Sequence, residues 1–110
     1  MKVQHYTEVA AEQVGEANNT KIRWLISKAD GAPNFYMRLF EVGPGGSTPH
    51  HEHAWEHEVF FLEGTGKLVG EGISRTLTPG MFVFVPGGEV HHFENTGDTV
   101  MKFICLVPKT

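Results

Sequence analysis

The sequence predicts an all-β domain, a sandwich or a closed barrel of short strands. Two observations carry that prediction. The chain runs as short stretches rich in β-branched and aromatic residues, and clusters of its 13 glycines and 6 prolines separate them at regular spacing. Helical periodicity, by contrast, is weak nearly everywhere. With 110 residues there is chain for one hydrophobic core, so residues 1–110 are read as a single domain.

In chain order, "TEVAAEQV" (residues 7–14) has a helical period sufficient for one or two turns. "KIRWLIS" (21–27) and "FYMRLFEV" (35–42) read as strands parted by the turn "KADGAPN". After "GPGGSTP" comes the histidine-rich stretch, then "EVFFLEG" (58–64), which turns at Gly64-Thr65-Gly66 into "KLVGEG". "SRTLTPG", "MFVFVPGG" (81–88), "EVHHFENTGD" and "TVMKFICLVP" (99–108) complete a set of six to eight strands.

Several function classes are excluded or disfavoured. A net charge of −4 with nine scattered Lys and Arg leaves no electrostatic footprint for nucleic acid or an anionic membrane. No apolar run approaches a membrane span, and the first residues lack the apolar core of a signal peptide. With the single cysteine, Cys105, these features lead us to expect a cytoplasmic protein without an internal disulfide framework. Asn18-Asn19-Thr20 matches a glycosylation sequon by chance. "EGTGKL" is a hairpin turn and no P-loop, because Phe61 stands where the second glycine belongs and Leu68 follows the lysine.

The chemistry concentrates in "PHHEHAWEHEVFF" (49–61), where His50, His51, His53 and His57 fall within eight residues. His53-Ala54-Trp55-Glu56-His57 matches H-x-x-E-H, which on a helix pairs two histidines around a zinc. A helix squeezed between Pro49 and the strand beginning at Glu58 would have under three turns and no apolar face, so the extended reading wins. On extended backbone, alternate residues share a face. His51 and His53 then point one way, with His50 and Glu52 opposite. His57 leads a strand with Val59 and Phe61 on its own side. A second cluster places His91, Phe93 and Asn95 on one face and His92 with Glu94 on the other. Inward imidazoles are poor core filler, because each buried ring N–H needs a partner, whereas a shared transition metal satisfies several at once. A solvated histidine loop is the competing reading for residues 51–57, as is an ordinary core or surface histidine for His91 alone. His50 and His92 have the opposite parity and are taken as flanking residues, and His5 as surface.

These residues resemble the motifs of the cupin superfamily. Gly45-x5-His51-x-His53-x3-His57-x6-Gly64 follows the spacing of the family's first motif, with histidine where glutamate is usual. Gly80, Pro86, Gly88, His91 and Asn95 match the second, G-x5-P-x-G-x2-H-x3-N, at every fixed position. "APNFYMRLFEV", "AWEHE" and "FICLVPK" are similar to small bacterial single-domain cupins with a four-histidine site. The resemblance implies a jelly-roll β-barrel with one divalent transition metal (Mn, Fe, Cu, Ni or Zn) held by His51, His53, His57 and His91 at one mouth. Glu58 is the alternative ligand should the spacer be four residues, and Asn95 stands with it as a supporting residue. The pocket is expected to include Trp55, Phe61, Phe93, Phe103 and Cys105, with Arg38 either contacting an anionic substrate or paired at the surface. No catalytic base is assigned.

The implied function is a metal-dependent dioxygenase acting with O2 on a small enol or diol. A redox-neutral sugar or keto-acid isomerase or epimerase, which would need Glu56 or Glu58 as base, is the alternative. A non-catalytic metal- or ligand-binding module is the third reading. Small cupins commonly pair, so a homodimer is expected, with residues 1–30 as an N-terminal arm whose "WLI" (24–26) adds strands to a neighbour's sheet edge.

Overall fold

A computed structural model describes residues 1–109 of the chain. Among the described residues, nine strands form one curled antiparallel sheet: β1 (Glu12–Gln13), β2 (Asn18–Ile26), β3 (Phe35–Ser47), β4 (His57–Glu63), β5 (Gly66–Gly70), β6 (Ile73–Leu77), β7 (Phe82–Val85), β8 (His91–Asn95) and β9 (Met101–Pro108). Strand order runs β6-β5-β8-β3-β9-β4-β7, with β2 along the other side of β3 and β1 beyond it. The sheet curls into a jelly-roll β-barrel because β3 is long enough to pair β9 over its first half and β8 at its end.

The bend in β3 has a local cause. "GPGG" is part of the strand, not the turn that its composition suggests. Register against β2 jumps from Thr20↔Val42 to Asn18↔Ser47, so residues 43–46 bulge out of the ladder. Gly45 adopts a left-handed φ of 75°, and a Cβ on Gly46 would meet the Asn18 carbonyl oxygen at 2.6 Å.

Alternation is cleanest in β9, where Met101, Phe103, Cys105 and Val107 are buried and the residues between them are half-buried. Cross-strand register turns this into rows on the inner face. Ile22, Phe40, Phe103 and Phe61 form one row across β2, β3, β9 and β4; Trp24, Arg38, Cys105 and Val59 form the next. Phe40 stacks on Phe103 at 5.1 Å between ring centroids, and Phe93 leans on the same ring at 4.7 Å. Beyond that aromatic layer, Val42, Phe61, Leu77 and Met101 close one end of the barrel.

The helical turns anticipated at 7–14 reduce to one 3₁₀ turn, Tyr6–Glu8, followed by the short strand β1. Arg23 explains the extended chain after it. Its guanidinium donates to the carbonyls of Tyr6 (3.3 Å) and Val9 (2.6 Å) while pairing with Glu41 at 2.7 Å, which holds the arm flat on the sheet. Residues of the first thirty therefore pair within this chain: β2 lies on β3, and Trp24 and Ile26 stay 38% and 39% exposed. No helix of the described residues is long and apolar enough to cross a membrane.

Candidate metal centre

Backbone pairing assembles the histidines. His51 and His91 form an antiparallel bridge, His51 N–H donating to the His91 carbonyl (3.3 Å) and His91 N–H to that of His51 (3.1 Å). His57 begins β4 opposite Val85, and the loop carrying His53 is fastened by the Gly88 N–H, which donates to the His53 carbonyl at 2.6 Å. Gly87 lies so close beneath this loop that a Cβ there would sit 3.0 Å from the Ala54 carbonyl carbon and closer still to its oxygen. The two histidine-bearing segments, far apart in sequence, thus meet at one end of the barrel.

The four rings gather with centroid separations of 4.3 Å (His51–His53), 5.2 Å (His53–His57), 5.1 Å (His57–His91) and 6.4 Å (His53–His91). A contact outside the cluster fixes the tautomer of His91. His91 Nδ1 lies 2.8 Å from the Glu89 carbonyl, which can only accept, so Nδ1 carries the proton and Nε2 keeps its lone pair. His57 is 6% exposed; its Nδ1 lies 3.4 Å from Cys105 Sγ, while its Nε2 is buried with no protein partner. A buried polar atom without a partner needs an explanation. His53 stacks face to face on Trp55, 4.6 Å between centroids and 8° between planes.

The cluster disfavours protonation. Burial, then the neighbouring Arg38 guanidinium and the other imidazoles, push His57 from 6.5 to about 3. Burial likewise lowers His53, reinforced by His51, His91 and Arg38. His91 is lowered by burial despite the opposing Glu89 carbonyl. Burial-lowered imidazoles at His53, His57 and His91, with the Nε2 of His57 left without a partner, have the donor chemistry of transition-metal ligands, although among the described residues the side chains do not converge into a closed coordination set.

A cavity of about 330 Å³ opens beside the rings, within the size range of small-molecule sites. Of the residues anticipated from sequence, Arg38, Phe93, Phe103 and Cys105 line it together with the four histidines. Phe61 does not reach it; the ring is fully buried beneath, in the row with Phe103. Trp55 is likewise not among the lining residues; it is 37% exposed and stacks on His53. Glu58 is exposed on the outer face of β4, between Phe84 and Leu106 in register, and cannot turn inward without flipping the strand. Asn95 sits in the core away from the histidines, its amide donating to the carbonyls of Val42 and Thr99, both at 2.8 Å. It pins the β8–β9 turn to the bend in β3. His50 and His92 contact each other outside the barrel, and His92 pairs with Glu94 at 2.8 Å.

The cavity also takes in Val14, Ile22, Trp24, Phe40, Thr48 and Pro49, none of which the sequence assigns to the pocket. Trp24 and Phe40 were findable in principle: Phe40 shares the parity of Arg38, and Trp24 pairs with Arg38 across β2 and β3. The strand pairing itself, which sequence does not supply, was the missing premise. Burial raises the Cys105 thiol, opposed by Arg38, so it is a buried neutral thiol.

Comparison with known proteins agrees with this architecture. Residues 38–107 match the family model described as "Cupin domain". The crystal structure of the polyketide cyclase RemF from Streptomyces resistomycificus superimposes with a TM-score of 0.94 and 41% identity, covering 100% of this chain and 80% of that one. The 1-methylthio-D-xylulose 5-phosphate methylsulfurylase of Rhodospirillum rubrum is 38% identical over 72 residues, 64% of this chain; the match spans only 46% of that relative's length. The oxalate-binding protein of Thermotoga maritima is 29% identical over 109 residues, 92% of this chain and 88% of that one. Relatives with such different names share one barrel, as expected where function lies in the site and not in the fold. With the matched region covering well over half of its length, the chain belongs to the cupin family.

Proposed function

We propose that the protein is a metal-binding cupin that closes rings on small polycarbonyl substrates without redox change. The observation that carries this reading is the cavity wall: aromatic and aliphatic side chains, the four histidines and one arginine, with no carboxylate among the lining residues. His51, His53, His57 and His91 would hold the metal. A divalent ion held there would supply Lewis acidity toward carbonyl oxygens, making the C–H between two carbonyls more acidic.

The chain's own residues then have definite tasks. Phe40, Phe93, Phe103 and Trp24 give a flexible chain an apolar surface on which to fold, and they exclude water from it. Glu89, through its carbonyl, orients His91, and Cys105 borders Nδ1 of His57. Glu56 and Glu58 lie on the far side of the wall, against a separate cleft with Phe35 and Leu106. An isomerase using either as base is therefore unsupported. A substrate whose reacting methylene lies between two carbonyls needs no strong base, which suits such a wall. Likeness over the whole chain to a polyketide cyclase points the same way.

Oxygenation of an enol or diol is the second reading, favoured by the same apolar wall and absence of a carboxylate base. One experiment separates the two. Metal-loaded protein is given a linear triketone or a catechol, with and without O2, while oxygen consumption and product mass are recorded. Aldol ring closure breaks one C–H bond and one carbonyl π bond and forms one C–C bond and a hydroxyl. Elimination of that hydroxyl with the remaining α-hydrogen then releases one water, so a ring of unchanged mass, or one lighter by a single water, is expected under anaerobic conditions with no oxygen consumed. Oxygen uptake coupled to product would replace cyclisation by the oxygenase reading. No turnover with either substrate would leave a binding module.

A further inference from the structure

Arg38 is a cation without a counter-ion. The other basic side chains that reach across elements have carboxylate partners: Lys2 with Asp30, Arg23 with Glu41, Lys102 with Glu63. Among the described residues no carboxylate stands within ion-pair distance of Arg38, and none lines the cavity it faces. Its Nε is buried without a partner. One Nη2 hydrogen goes to Cys105 Sγ at 3.0 Å, a weak neutral acceptor, and the same nitrogen lies 3.4 Å from His57 Nδ1. The guanidinium carbon is 5.0 Å from the Phe40 ring centre and 5.5 Å from that of Trp24, so two aromatic rings bracket the charge. Holding a guanidinium among apolar walls with only a thiol and a distant imidazole nitrogen beside it is costly. The cavity has a positive pole that the protein itself leaves unanswered.

We infer that the ligand answers it: the site takes a planar, conjugated molecule carrying an anionic oxygen, which docks on Arg38 while the body lies against Phe40, Phe103 and Trp24. A guanidinium fork matches the paired oxygens of a carboxylate or the enolate of a β-dicarbonyl. Because Arg38 touches His57, an oxygen held there places the adjoining carbons beside the four rings. This rests on the proposed metal site for its catalytic meaning, but the anion preference itself does not require a metal.

The test uses chelator-treated and metal-loaded protein with an isosteric pair of fluorescent probes, 2-naphthoate and 2-naphthamide, and with 1-phenylbutane-1,3-dione as the enolisable probe. Metal-free wild type should bind 2-naphthoate roughly tenfold more tightly than the amide, the scale of a charge-assisted hydrogen bond. Arg38→Gln should bring the two within about twofold, and Arg38→Lys should keep part of the preference. If Arg38→Gln weakens the dione and leaves naphthoate untouched, the anion is an enolate; the reverse identifies a carboxylate. The wild-type comparison needs no variant, so it stands even if Arg38→Gln fails to fold. Equal binding of naphthoate and naphthamide by wild type, together with a dione affinity insensitive to Arg38→Lys, overturns the inference. A preference seen only in metal-loaded protein also overturns it, while leaving the metal site intact. Wild type that fails to retain any divalent metal refutes the metal site, and leaves the inference standing if the preference is still present.

Discussion

The metal-free protein should lose stability on mild acidification, and His57 sets the minimum size of the loss. In the unfolded chain His57 takes up a proton as pH falls through 6.5, whereas burial, Arg38 and the other histidines keep it neutral in the fold down to about 3. Between those values the unfolded state binds more protons, so stability falls as pH falls, by up to about 1.4 kcal/mol per pH unit. Integrated from about pH 7.5 to about pH 5, the loss is about 2 kcal/mol from His57 alone. His53 and His91 are shifted in the same direction and add to it. The assay is urea unfolding of chelator-treated protein at the two pH values, for wild type and His57→Gln. Glutamine does not titrate, so the variant should lose about 2 kcal/mol less than wild type over that interval. Equal losses in the two proteins would refute the assignment of His57 as a buried, neutral imidazole.

Further outcomes test the barrel and its mouth. Phe103→Ala removes a ring that is 1% exposed and stacked against Phe40 and Phe93, and should cost about 3–5 kcal/mol in urea unfolding. Gly87→Ala would press a Cβ against the Ala54 carbonyl and lift the His53 loop. It should weaken metal retention in a chelator competition by at least about tenfold while shifting the melting temperature little. The expected homodimer gains a candidate face in Phe60, Phe82 and Phe84 on the outer side of β4 and β7, which are 48%, 80% and 60% exposed. Sedimentation velocity should show two chains per particle, and a particle of 12.2 kDa would contradict it.

Much of the chemistry was legible because strand parity is a local property. His51 and His53 on one side, and Phe103 and Cys105 on one face of β9, follow from a period of two that needs no partner strand. The motif spacings located the glycines at which the chain must turn or approach closely. Parity also separates His57 from Glu58, which the fold turns to opposite faces of β4. It says nothing about depth along the barrel axis. Phe61 shares the side of His57 yet lies beneath the cavity floor, and Asn95 shares the side of His91 yet serves the β8–β9 turn. Depth is set by register between strands distant in sequence.

The all-β fold class and the parity of the histidines along their strands were thus determined by the sequence itself, since each depends on residue identity and short spacing, whereas the nine strands among the described residues exceed the six to eight that sequence suggests. Only the tertiary structure decided which neighbours each side chain has. It carried β3 through a run of turn-formers, because Asn18 and Thr20 on β2 accommodate the bulge. It laid the N-terminal arm on its own sheet through Arg23. It also set Arg38 between Trp24 and Cys105, inside the wall and without a carboxylate. Whether a charge is a surface ion pair or the pole of a binding site depends on what lies across the sheet from it, and hydrogen-bond register between strands settles that.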